Sequence, residues 1–245
     1  MTGGAHRIGR AISLALAGAG YAVVIHAHRS GAAAAALAAE IQATGGRAAT
    51  ALADLANPAA SGALVTHAAA TAGPLTLLVN NASMFEDDAV GRLDAAAWDR
   101  HFAVNLRAPV FLAEAFAAQA PADADPSIVN IVDQRALKPV PRQFSYTLTK
   151  AALNASTIML AQALAPKVRV NAVAPGPTLP SPRQDPAQFA AQAAAVPLGR
   201  GPTPEQVAQA VLFLAAASSM TGTTVAVDGG QHIAWKTPDV WGIEE

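Results

Sequence analysis

Tyr146 and Lys150 stand four residues apart in a segment that reads as a helix from about Ser145, so they share one face, a turn apart. A phenol has an ordinary pKa of about 10 and is a poor acid or base near neutrality. A fixed ammonium beside it favours the phenolate and moves the group toward a working range for proton transfer. Asp133 lies upstream, directly after the apolar run 127–132, which reads as a short buried parallel strand. That places a carboxylate at the carboxyl end of a strand, where ligands gather in an open α/β sheet. The same Tyr/Lys spacing also arises when a half-buried Tyr and a surface Lys merely share a helix. The surrounding elements decide between the two.

Those elements alternate. Thr2-Gly3-Gly4-Ala5-His6-Arg7-Ile8-Gly9 opens the chain as a glycine loop, followed by a helix over 10–19 that Gly20 stops. Glycines in such a loop let backbone N–H groups approach a phosphate at the helix N-terminus. Residues 21–28 read as a strand ending in His28-Arg29-Ser30. At this point of a dinucleotide-binding fold an acidic residue would bind a ribose 2′-hydroxyl and repel a 2′-phosphate. Cations and a hydroxyl suit the phosphate, so the charges favour NADPH over NADH. An Ala-rich helix over 31–44 and a strand over 48–53 follow, with Asp54 and Leu55 placed to meet an adenine amine. A helix over 59–72 leads to a buried strand over 75–79 and then to Asn80-Asn81-Ala82-Ser83-Met84-Phe85.

Residues 99–118 read as one long helix containing Asn105; an Asn there commonly bonds a backbone carbonyl or simply packs. Past the Tyr146 helix, 168–173 reads as a strand. Prolines 175, 177, 180, 182 and 186 then exclude regular structure and read as a stiff rim or lid over about 175–196. Helices near 187–195 and 204–216 and a strand at 224–227 complete the pattern.

The bulk properties narrow the function classes. A chain of 245 residues with net charge −1 suits one α/β domain and carries no electrostatic footprint for nucleic acid. It has no cysteine, hence neither disulfides nor thiolate chemistry. Met1 runs straight into the glycine loop with no apolar signal segment, and the longest apolar stretch (207–217) falls short of a bilayer span of roughly 20 residues, so a cytoplasmic, membrane-free protein is expected. The histidines show neither His-x-x-x-His nor His-Glu-x-x-His spacing, so no metal site is expected.

Taken together, the glycine loop, Asn81-Ala82, Asn105, Tyr146-x-x-x-Lys150, Pro175-Gly176 and Asp228-Gly229-Gly230 resemble the short-chain dehydrogenase/reductase family over nearly the whole chain. Two positions depart from its usual pattern: Arg7 replaces the middle glycine of the loop, and Asp133 replaces the Ser usually found thirteen residues before the Tyr. Both departures resemble the pteridine reductase branch, as do His28-Arg29-Ser30 and the run from Asn81 to Phe85. The resemblance implies a single NADP-binding domain over 1–245 with a Rossmann-like doubly wound parallel sheet. It implies a cofactor site of Gly3, Arg7, Ile8, Gly9, His28, Arg29, Ser30, Asp54, Leu55, Asn81, Ala82, Lys150, Pro175 and Gly176. It further implies that Tyr146 donates a proton, that Lys150 holds the nicotinamide ribose and lowers the Tyr pKa, and that Asp133 orients or reprotonates Tyr146. Asn105 would support a water link to Lys150. Phe85 would stack on a pterin ring, with Arg7, Ser83, Asp133 and Tyr146 on the substrate side. Members are commonly homotetramers.

Asp133 also has a logic of its own. A carboxylate facing a ketone oxygen would repel it, whereas a pterin offers N–H donors to an acceptor-only group. Reduction of a dihydropterin or dihydrofolate-type ring is therefore the leading expectation; other expectations are a reductase of another carbonyl or imine, or an NADP-binding protein without turnover. One feature of the fold should be missing. A strand normally precedes the glycine loop, but here only Met1 does, which leaves its would-be neighbours about 10 Å apart and suggests that the natural start lies several residues upstream.

Overall fold

A computed structural model of the chain describes residues 1–121, 123–181, 184–237 and 241. Helices and strands alternate: α1 (Arg7–Gly18), β1 (Ala22–Ala27), α2 (Gly31–Ala43), β2 (Arg47–Leu52), α3 (Ala60–Ala72), β3 (Leu77–Asn80), α4 (Ala95–Phe102), α5 (Ala108–Gln119), β4 (Ser127–Ile131), α6 (Phe144–Leu164), β5 (Arg169–Pro175), α7 (Pro186–Ala194), α8 (Pro204–Ala216) and β6 (Thr224–Val227). Every strand pairing is parallel, as crossover helices require. β4 and β5 are buried along their full lengths and are mostly apolar, and their buried Asn130, Arg169 and Asn171 are hydrogen-bonded.

Two apolar layers sandwich the sheet. On one face Ile12, Leu16, Ile25, Leu37 and Val211 pack together; on the other are Leu64, Leu112, Phe116, Ile128 and Val170. The Ala-rich α2 belongs to the first layer because Ala34, Leu37, Ala38 and Ile41 recur at helical spacing and are buried. This is the doubly wound α/β architecture expected.

The sheet is divided as anticipated. β1 pairs with β2, and β3, β4, β5 and β6 form a separate ladder in that order. Between β1 and β3 lie only the first residues. The Met1 carbonyl accepts from His26 N–H at 2.9 Å, and Thr2 N–H donates to the Val79 carbonyl at 3.0 Å. Beside them is a cavity of about 70 Å³ lined by Val23, Val24, Leu64, Leu77, Leu78 and Leu112.

The single helix expected over 99–118 differs in detail. It starts earlier, at Ala95, and Ala103–Arg107 form a π-helical turn between α4 and α5. Such a bulge re-aims side chains within a helix, and here it contains the buried Asn105. Of the proline-rich rim, Pro182 falls outside the described residues.

Candidate active site

Asp133 leaves β4 with extended backbone and caps a short 3-10 turn, accepting the Arg135 N–H at 2.8 Å. On the facing first turn of α6, the Tyr146 hydroxyl donates to Asp133 Oδ2 at 2.9 Å. Arg135 Nη1 lies 3.4 Å from both oxygens of the same carboxylate. One turn further along α6, buried Lys150 donates to the Ile131 carbonyl at 2.8 Å, and its Nζ stands 5.7 Å from the centre of the Tyr146 ring.

The electrostatics correct one expectation. Lys150 was expected to lower the Tyr146 pKa, yet the phenol is pushed well above 10, first by burial and then by the charge of Asp133; the cation that opposes the rise is Arg135. Burial also brings the Lys150 ammonium down to about 8, with Asp133 pulling the other way. The Lys150 ammonium is directed to the Ile131 carbonyl instead of the phenol oxygen. The resulting state is a neutral Tyr146 hydroxyl aimed by Asp133, which is the form a proton donor needs.

Phe85 closes this corner from the loop after β3. It is 41% exposed, and its ring meets Tyr146 edge-on, with centroids 4.8 Å apart at 88°. The Arg135 guanidinium lies 5.8 Å from the Phe85 centroid. An exposed flat face next to a phenol and a carboxylate suits a planar heterocycle with polar edges. Asn105 anchors this loop: its Oδ1 accepts from Met84 N–H at 2.7 Å and from the Ser83 hydroxyl at 3.2 Å. Its Nδ2 donates to the Met84 carbonyl at 2.9 Å and to Thr149 at 3.2 Å. Its side chain thus holds main chain and hydroxyls, as a buried helical Asn often does.

The dinucleotide side is built from the glycine loop. Gly3 adopts a φ of +58°, and a Cβ on Gly9 would lie 2.1 Å from the Gly3 carbonyl oxygen, so the loop closes on itself only with glycine at both positions. Asn81 fastens it by donating to the carbonyls of Thr2 and Gly3 at 3.0 and 2.9 Å, and the Thr2 hydroxyl accepts from the N–H groups of Asn81 and Ala82. The first turn of α1, with half-buried Ile8, has no side-chain cap and no acidic residue, leaving N–H groups and the positive helix end for an anion. His28 and Arg29 are exposed at the end of β1, with Ser30 opening α2; His28 Nε2 lies 3.7 Å from Asp54, and Leu55 is buried beside it. At the far side Pro175 ends β5, and a Cβ on Gly176 would strike Asp228 at 2.6 Å. A tight glycine cradle, an uncapped helix end and a basic rim fit a phosphorylated dinucleotide.

Arg7 is placed differently from expectation. Expected on the cofactor phosphate and the substrate edge, its guanidinium donates to the Leu179 and Pro180 carbonyls at 3.1 and 2.8 Å, clamping the proline-rich rim. Its φ of +55° is the left-handed backbone that glycine adopts freely, which explains why the motif usually has glycine there. Three further residues contribute. Arg135 meets the Asp133 carboxylate, a role that its place in the sequence does not show. Thr2 and the buried His26, which accepts the Gly3 N–H at 3.2 Å and faces the Ala53 carbonyl at 3.0 Å, hold the glycine loop from below. Among the described residues no cluster of three His, Asp or Glu side chains could hold a metal.

Known proteins resemble this chain over most of its length. The family described as enoyl-(acyl carrier protein) reductase matches residues 3–232. The chain belongs to the short-chain dehydrogenase/reductase family. Within it, the chain is similar to FolM alternative dihydrofolate reductase 1 from Brucella canis, solved with NADP, at 51% identity and a TM-score of 0.94 over 98% of this chain and 95% of that one. It is 36% identical to pteridine reductase 1 of Leishmania tarentolae over 95% of each chain. It is also 33% identical to a 3-oxoacyl-[acyl-carrier-protein] reductase of Synechocystis over 94% of each.

Proposed function

We propose that the chain is an NADPH-dependent reductase of dihydropterin or dihydrofolate-type rings. The observation that carries this is the Tyr146–Asp133 hydrogen bond set edge-on to the exposed face of Phe85. The glycine loop, the α1 N-terminus and His28-Arg29-Ser30 would hold NADPH, with Asn81, Ala82, Pro175 and Gly176 walling its site. When bound, NADPH supplies the hydride. The chain's own residues do the rest. Phe85 packs on the flat ring, Tyr146 gives the proton that the reduced ring nitrogen takes up, and Asp133 aims that hydroxyl and accepts ring N–H groups. Lys150, near its own pKa, steadies the sugar side of the site. The similarity to the FolM and pteridine reductase proteins supports the same reading.

Reduction of another carbonyl is the second reading, favoured by the 3-oxoacyl reductase relative. The Asp133 carboxylate argues against it, since it would face a ketone oxygen with like charge. The test offers dihydrobiopterin, dihydrofolate and small ketones and follows NADPH loss. Turnover with the heterocycles supports the proposal; turnover with ketones alone overturns it.

Among the described residues no helix is long and apolar enough to cross a membrane. We place the enzyme's work in the cytoplasm and propose a homotetramer. Phe111 on α5 and Leu148, Ile158 and Met159 on α6 are exposed apolar side chains that such an assembly would cover.

A further inference from the structure

We propose that buried His101, Ser145 and Asp88 form a latch that positions the Phe85 loop against the first turn of α6, setting the corner that Phe85 and Tyr146 make together and against which the substrate ring lies. The proposal rests on the reductase reading for its substrate, but its geometry is independent of it. The α6 helix begins without a side-chain cap of its own and with no acidic residue in its first turn. The anion comes instead from the loop, where both Asp88 carboxylate oxygens lie 3.2 Å from Ser145 N–H and the Asp88 carbonyl accepts from Phe144 N–H at 3.4 Å. A carboxylate at a helix N-terminus satisfies an orphan N–H and complements the dipole.

His101, on the last turn of α4, ties the same two elements together. Its Nε2 accepts the Glu86 N–H at 3.0 Å, and its Nδ1 lies 2.7 Å from the Ser145 hydroxyl. The first bond fixes the tautomer: Nε2 must carry the lone pair, so Nδ1 carries the proton and donates to Ser145. Glu86 adjoins Phe85, and Ser145 adjoins Tyr146. The imidazole therefore bridges the residues next to the two rings that stand 4.8 Å apart. Ser145, His101 and Asp88 together might suggest a hydrolase nucleophile by composition, but Ser145 and His101 are wholly buried, and Asp88 holds a backbone N–H rather than the imidazole. The group positions; it does not attack.

Protonating His101 would place an N–H against the Glu86 N–H and open the latch. Burial holds its pKa below the ordinary 6.5; Asp88 and Glu86 on the loop oppose that, Arg100 on its own helix adds to it, and α6 presents the neutral Ser145 hydroxyl. The latch is thus closed at neutral pH and opens as pH falls below that range.

The test compares wild type, His101→Ala, His101→Gln and Asp88→Asn by steady-state kinetics and by amide hydrogen exchange of residues 84–88. Losing the Glu86 bond raises the dihydrobiopterin KM about tenfold in His101→Ala, while NADPH affinity is unchanged and the Glu86 amide loses its protection. His101→Gln, whose amide oxygen can accept the same N–H, restores both and removes the rise in KM that wild type shows in acid. Asp88→Asn, which keeps the shape, raises the pterin KM in the same direction. Equal loss of NADPH and pterin binding in His101→Ala, or Glu86 protection unaltered by it, would overturn the latch. Should wild type reduce no pterin at all, the functional reading fails and the exchange measurement alone decides the latch.

Discussion

At the scale of single residues, the chemistry turns on a buried phenol kept protonated. Tyr146→Phe removes the proton donor and should lower kcat by about 10²–10⁴-fold while leaving NADPH binding intact; titration calorimetry with NADPH and a turnover assay read the two separately. Because burial and Asp133 hold the Tyr146 pKa well above 10, the ultraviolet difference between wild type and Tyr146→Phe should show no phenolate at any pH below 10 in cofactor-free protein. A phenolate appearing near neutrality would contradict this. Lys150 gives a prediction of stability. Its folded pKa of about 8 lies below the ordinary 10.5, so between these values the unfolded chain binds more protons and wild-type stability rises with pH. Relative to the non-titrating Lys150→Met, wild type should gain up to about 3 kcal/mol across that window, measured by denaturant unfolding. Tyr146 and Lys150 were legible in the sequence because helical spacing puts them on one face, and Asp133 because it follows a strand in an alternating α/β pattern. The direction of the Tyr146 shift was not, because it depends on how deeply the phenol is buried and on the Asp133 carboxylate meeting it.

At the scale of elements, the β1–α2 junction carries cofactor choice and the loop after β3 carries the substrate slot. Arg29, exposed at the end of β1, should draw the 2′-phosphate, so Arg29→Asp should shift preference from NADPH toward NADH; an unchanged ratio of kcat/KM for the two cofactors would remove the charge argument. The order of helices and strands was readable from periodicity, and most boundaries fall within a few residues of expectation. The π turn at Ala103–Arg107 was not anticipated, although Pro109 just beyond it lacks the N–H that would bond the Asn105 carbonyl in a regular helix; the bonds of Asn105 to Met84 reveal its use. The Asp88 cap on α6 escaped for a similar reason: a carboxylate 57 residues upstream of its partner leaves no local capping signature.

At the scale of the whole molecule, the divided sheet is the feature most open to intervention. Among the described residues, Met1 and Thr2 lie between β1 and β3, beside a small cavity. Fusing a short alternating apolar segment ahead of Met1 should let it pair with both edges and raise the melting temperature; an unchanged or lower Tm would mean that the gap is better closed as it stands. The side chains that line the gap depend on how both layers pack. The central claim is that Asp133, Tyr146 and Phe85 together receive a flat nitrogen heterocycle beside NADPH. A crystal structure with NADPH and dihydrobiopterin tests it most directly. The pterin should lie on the face of Phe85, with its ring N–H groups donating to Asp133 and Tyr146 within reach of the reduced nitrogen. A pterin bound elsewhere, or Asp133 turned away from it, would contradict the account.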